Sequence, residues 1–159
     1  MAYDKLQARS ARKVVPSDTI GLPSIASAQQ SGTTDGVAVS ELIDSTKLFL
    51  ASVKSGFIVV NTTVGSEAIA TVVSVDSDTA LTLSADIIVS GEDYTIYGAA
   101  ETNGAVLYIG SASGDALRVM TVAGDDITLV GITAGLFLPV HVKKIFSTGT
   151  TCGDIVALW

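Results

Sequence analysis

Little in this chain could perform chemistry. Its 159 residues hold one cysteine (Cys152), one histidine (His141) and one tryptophan (Trp159). A single cysteine forms no internal disulfide and cannot build a zinc knuckle, so the composition fits folding in a reducing cytosol. None of these staples is needed, since a chain of this length buries roughly 68–70% of the surface its unfolded form exposes. Long apolar runs are also missing: Gly, Ser, Thr or Asp interrupts each one well short of the roughly twenty residues of a membrane helix. The opening MAYDKLQARSARKVV is charged and has no apolar h-region. No signal peptide is therefore expected, synthesis in the cytoplasm is, and no membrane partner is foreseen.

Positive charge is scarce and clustered. Lys5, Arg9, Arg12 and Lys13 stand against Asp4 in the first thirteen residues, a net +3. The remainder carries five basic and fifteen acidic residues, a net −10. An acidic body repels phosphate, so nucleic acid is not an expected partner, whereas a basic arm suits docking onto an acidic neighbour.

What the sequence has in quantity is Val, Ile, Thr and Tyr in short runs separated by Gly, Ser, Asn and Asp. That pattern predicts an all-β chain. Three segments are expected: an extended basic arm and linker over 1–46, a small barrel-like β-module over 47–98, and an antiparallel β-sandwich or jelly-roll-like module over 99–159. Pro16 and Pro23 keep the arm extended, and Ile20, Leu22 and Ile25 give it apolar anchors with which to lie along a surface, its own or a neighbour's. One helical stretch is expected in VAVSELIDSTKLFLASV, where Leu42, Ile43 and Leu48 could share a face. In the second segment FIVVNTT, AIATVVSV, ALTLSADI and YTIYG read as strands, and the DSD between two of them reads as a hairpin turn.

The candidate sites are weak by comparison. A nucleophilic Cys152 would need an imidazole within reach and a third group to orient it. Alternation in LPVHVKKIF sends Val140 and Val142 to one face and His141 and Lys143 to the other, so a surface histidine and a small, half-buried thiol are expected. The carboxylate pairs Asp76/Asp78, Glu92/Asp93 and Asp125/Asp126 sit between strands, where turn chemistry explains them better than calcium or acid–base work. No glycine-rich loop leads into a helix as a phosphate loop would. No catalytic residue, metal or cofactor is expected. Trp159, after Ile155-Val156-Ala157-Leu158, predicts a final strand tucked against the core or another chain.

Two motifs then remain. GFIVVNTTVGSEAIATVVSVDSDTALTLSADIIVSGEDYTIYG, from Gly56 to Gly98, resembles a module that recurs in virion proteins of tailed bacteriophages. GDALRVMTVAGDDITLVGITAGLFLPVHVKKIFSTGTTCGDIVALW resembles the C-terminal β-module of phage head-decoration and spike-base proteins, with its T-G-T-T turn and I-V-A-L-W ending. The PSDT of the arm, Pro16 to Thr19, is also similar to that group, while Cys152 stands where the pattern often has a small residue. The resemblance implies a non-enzymatic capsid accessory protein: a cement or decoration subunit on the outer shell, or the base of a head spike or fibre. Its implied partners are the major capsid protein, further copies of itself (a trimer favoured) and a second head accessory or spike protein. The expected location is the capsid surface of the virion. On this reading Lys5, Arg9, Arg12 and Lys13 dock electrostatically, Ile20, Leu22 and Ile25 anchor, and Leu136, Phe137, Leu158 and Trp159 pack in the core or between subunits. A tail or connector component, a glycan-binding module and a small hydrolase are the rival readings.

Overall fold

The structure is a computed structural model and describes residues 8–24, 28–36, 38–100 and 102–159. Lys5 and Ile25 lie outside the described residues. The chain is all-β: both of its sheets are antiparallel, and one curls into a half-barrel. In chain order the strands are β1 (Ala11–Lys13), β2 (Gln30–Thr33) and β3 (Glu41–Ile43), followed by a single helical turn, α1 (Phe49–Ser52). Next come β4 (Ile58–Asn61), β5 (Ala68–Val75), β6 (Ala80–Leu83) and β7 (Asp93–Tyr97). The last five are β8 (Ala105–Ser111), β9 (Ser113–Thr121), β10 (Asp126–Thr133), β11 (Leu136–Ile145) and β12 (Gly153–Leu158).

The chain divides into two compact units, and the boundaries differ from those expected. Residues 28–100 form one unit, a six-stranded sheet in the order β2-β7-β4-β5-β6-β3. Residues 30–33 and 41–43, expected in the arm, are the two edge strands of this sheet. Both are too short to show a hydrophobic period, and β2 is polar as well. They are held by pairing with β7 and β6.

The expected helix is also corrected. Leu42 is fully buried between half-exposed Glu41 and Ile43, the alternation of a strand. Asp44 then accepts the Thr46 N–H (3.0 Å) and hydroxyl (2.6 Å), a side-chain turn that competes with helical hydrogen bonding. Helix survives only as α1, which buries Phe49 against Tyr94 with ring centroids 6.4 Å apart. The Tyr94 hydroxyl donates to Asp44 at 2.8 Å, tying this loop to β7. A Cβ on Gly32 would collide with Asp44 Oδ2 and the Lys47 side chain, so β2 can pass only as glycine.

The other unit takes in residues 8–24 and 102–159, with strand order β1-β12-β8-β11-β9-β10. Its core is the inward alternation of its strands: Leu107 and Ile109 of β8, Leu117 and Val119 of β9, Ile155 and Ala157 of β12. The arm is extended and lies on this same sheet. After β1 pairs with β12, the Ser17 N–H donates to Ile145 O and the Leu22 N–H to Lys143 O, both at 2.9 Å. Val14 and Leu22 enter the core.

In each sheet one long strand changes partner at a bulge. The first half of β5 pairs with β4 and the second with β6, with a shift between Val72 and Ser74. The start of β11 pairs with β8 and its end with β9, with a shift between Leu138 and Val142. Pro139 lies in that interval. Proline cannot donate a ladder bond, and a bulge both accommodates it and increases the local twist.

Candidate functional site

The most distinctive surface is the outward face of the sheet built by β1, β12, β8 and β11. Because Leu107, Ile109, Ile155 and Ala157 point inward, Val106, Tyr108, Val156 and Leu158 point to the other side. The pairing registers align them in two rows. Ala11, Leu158 and Val106 form one; Lys13, Val156, Tyr108 and Phe137 form the next. Phe137 is 60% exposed, and its ring lies 5.0 Å from that of Tyr108. Leu136, one residue earlier, is itself 36% exposed. Single exposed apolar residues are ordinary, but a contiguous aromatic and aliphatic face on a stiff sheet is the usual form of a protein contact.

The remaining expected contact residues have other positions. Leu22 is only 1% exposed and belongs to its own unit's core, so it is not offered to a neighbour. Ile20 is half-buried, with its N–H on the Ser17 hydroxyl at 3.1 Å. The Arg12 guanidinium donates to Ser24 O and lies 5.6 Å from the centre of the Trp159 ring. Lys13 reaches Asp154 at 4.0 Å in an exposed pair, and Arg9 is exposed with its N–H on Trp159 O. Trp159 packs against the core, and its indole N–H has no hydrogen-bond partner.

What fixes the arm is a polar clasp that sequence reading missed. The Asp18 carboxylate accepts the Thr148 N–H (3.0 Å), the Thr148 hydroxyl (2.8 Å) and the Ser147 hydroxyl (2.8 Å). These bonds, the Thr148 N–H foremost, hold Asp18 below the ordinary carboxylate range. The Lys144 ammonium donates to Asp18 O at 3.0 Å and stands 4.3 Å from the Phe146 ring centre, on which Arg118 also stacks at 4.3 Å. Arg118 in turn grips Asp126 with two bonds of 2.9 and 2.7 Å, which lower the Asp126 pKa and raise that of Arg118. The PSDT of the arm and the TGTT turn, far apart in sequence, thus meet at Asp18.

Cys152 and His141 do not form a pair. The Cys152 N–H contacts Ala116 O, whereas the His141 carbonyl accepts from Val122. Ala116 lies within β9 and Val122 just past its end, roughly 20 Å apart at strand rise. Burial pushes the Cys152 thiol up, away from the reactive thiolate, and His141 is exposed with Nδ1 3.3 Å from Asn103 O. The carboxylate pairs are occupied by turn and cross-strand bonds. Asp76 accepts the Ser74 and Thr82 hydroxyls, Glu92 the Asn61 amide and the Val89 N–H, and Asp125 the Thr121 hydroxyl. Among the described residues no cluster of three or more His, Cys, Asp or Glu could hold a metal ion. Among the described residues no helix is long and apolar enough to cross a membrane.

No protein-family model, curated protein or solved structure matches the chain.

Proposed function

We propose that this chain is a structural protein of a tailed-phage virion that binds the outer capsid shell as a cement or decoration subunit, with the major capsid protein as its partner. The observation that carries the proposal is the apolar face of Val106, Tyr108, Phe137, Val156 and Leu158, of which Phe137, Val156 and Leu158 belong to the segment that resembles head-decoration proteins. A β-surface that carries an aromatic pair can cover a seam between capsomers and exclude water there. Lys13, in an exposed pair with Asp154, lies at its margin.

The mechanism is binding linkage. A subunit that binds the assembled shell, and not its dissociated parts, stabilises the shell by mass action. Many moderate contacts suffice, because each shell offers many equivalent sites. Copy number separates this role from a spike base, tail or connector component: a cement protein is present at a number comparable with capsomers, and an adaptor at one vertex in a few copies.

The test is co-sedimentation of the purified protein with expanded heads stripped of accessory proteins. Wild type is expected to bind and saturate. Phe137→Asp, at an exposed position, is expected to weaken binding about tenfold or more, equivalent to about 1.4 kcal/mol. Equal binding by wild type and Phe137→Asp would remove this face from the contact.

A further inference from the structure

The second exposed feature of the same unit is the free edge of β10. The other three sheet edges, β1, β2 and β3, are three or four residues long, and two of them carry charge at Arg12, Lys13 and Glu41. β10 has eight residues, DITLVGIT, with no lysine, arginine or proline. Among the described residues no strand pairs with its outer side. Natural edge strands are normally shortened, charged or covered, because an open row of N–H and C=O groups is a template for another strand.

The hydrogen bonding of β9 identifies which groups are open. Ala116 and Arg118 turn their backbone groups away from β10: Thr151 N–H donates to Ala116 O, Phe146 N–H donates to Arg118 O, and the Ala116 and Arg118 N–H groups go to the Thr151 and Thr150 hydroxyls. Thr121 N–H donates to Asp125 O. In an antiparallel ladder the bonded pairs alternate, so Leu117–Leu129 and Val119–Ile127 carry the β9–β10 bonds. The N–H and C=O groups of Asp126, Thr128 and Val130 therefore face outward. Beyond them a bulge at Gly131 ends the regular stretch.

We infer that β10 pairs with β10 of a second copy of this chain, antiparallel, about a two-fold axis at Thr128. In that register Thr128 faces Thr128 of the other copy, and each Asp126 faces a Val130. All three outward residues of each strand then find bonded partners, about six backbone hydrogen bonds in total. Residues on the same side of the sheet remain on the same side, so the β-branched Thr128 meets Thr128 of the other copy across the seam, with Val130 diagonal to it.

Charge leaves this edge open to a second copy. The chain carries −7, so two copies approach most readily where the surface is neutral. From Ile127 to Val140 no residue is charged. The one charge on β10, Asp126, is already neutralised by Arg118, and in this register the two Asp126 residues stand about 13 Å apart along the strands, beyond the screening length of about 8 Å. Val130, 79% exposed, and Ile127, 36% exposed, lose contact with water on pairing. The inference does not depend on shell binding, and it gives a two-fold pair where the sequence resemblance favours a trimer.

Native mass spectrometry and light scattering of the full chain over a concentration series test it. Wild type is expected to reach the mass of two chains. Thr128→Pro removes an outward N–H without touching the β9 ladder, and its mass is expected to fall to one chain with an unchanged circular dichroism spectrum. Because Thr128→Pro could unfold β10, Thr128→Cys provides a second test. Under mild oxidation it is expected to crosslink into a dimer, and wild type, whose Cys152 is buried, is not. A monomer at every concentration, a trimer or dimer that persists in folded Thr128→Pro, or no crosslinking by Thr128→Cys overturns the inference. Dimers only in the presence of a capsid fragment would assign the edge to that partner instead.

Discussion

Asp18 adds a polar hold on the arm to the β1–β12 ladder and the buried Val14 and Leu22. Its carboxylate is positioned by three donors on the Ser147–Thr148 turn, and its pKa is depressed. The unfolded chain therefore takes up the proton more readily than the folded one. The stabilisation is fully present above the unfolded carboxylate value of about 3.9 and is lost as pH falls through the depressed folded value. Hydrogen exchange at the Ser17 and Leu22 amides is expected to accelerate in that acid window in wild type, and to be fast and pH-insensitive after correction for intrinsic rates in Asp18→Asn. Leu22 gives the arm its apolar hold: Leu22→Ala is expected to destabilise this unit by about 2–5 kcal/mol in urea unfolding, whereas a free arm would show almost no change. Cys152, with its thiol buried and its pKa raised, is expected to resist thiol reagents at neutral pH until the chain unfolds. Among these residues, the demotion of Cys152 and the packing of Trp159 were legible in the sequence. The clasp was not. Nothing local to PSDT signals a partner 130 residues later, and only the antiparallel closure of β1 on β12 brings the two together.

Strands rich in apolar and β-branched residues were legible as elements, including β4, β5, β6 and β7 and the run from β8 to β12, because their runs are bounded by turn residues. β2 and β3 were not, since QSGT and ELI offer too few apolar residues for a period and owe their form to their neighbours. The stretch around α1 looked helical because Leu42, Ile43 and Leu48 have helical spacing, but Asp44 breaks it by taking the Thr46 N–H. The partner exchange of β11 was equally hidden, although Pro139 inside an apolar run was its visible mark. At the β10 bulge, Gly131 has a φ of 75° and open space where a Cβ would stand. Gly131→Ala therefore meets no clash, and it is expected to cost about 1–2 kcal/mol through backbone strain alone, measured as a lower urea midpoint at unchanged slope.

At the scale of the molecule, the apolar face and the docked arm belong to one unit, and the other unit has a core of its own from Leu42 to Ile96. Every strand of that second sheet comes from residues 28–100, so a fragment of this span is expected to fold alone and unfold cooperatively in urea. A fragment of residues 102–159 lacks Val14, Leu22 and β1, and is expected to be far less stable than the same sheet in the whole chain. The expected arm could not be divided correctly from sequence, because its first half is core for the C-terminal sheet and its second half is edge for the other. Shell binding is tested most directly by counting copies of the chain on expanded phage heads reconstituted with saturating purified protein. A number comparable with capsomers, lost on Phe137→Asp, is the result predicted for a cement subunit; no binding, or a few copies confined to one vertex, would contradict it.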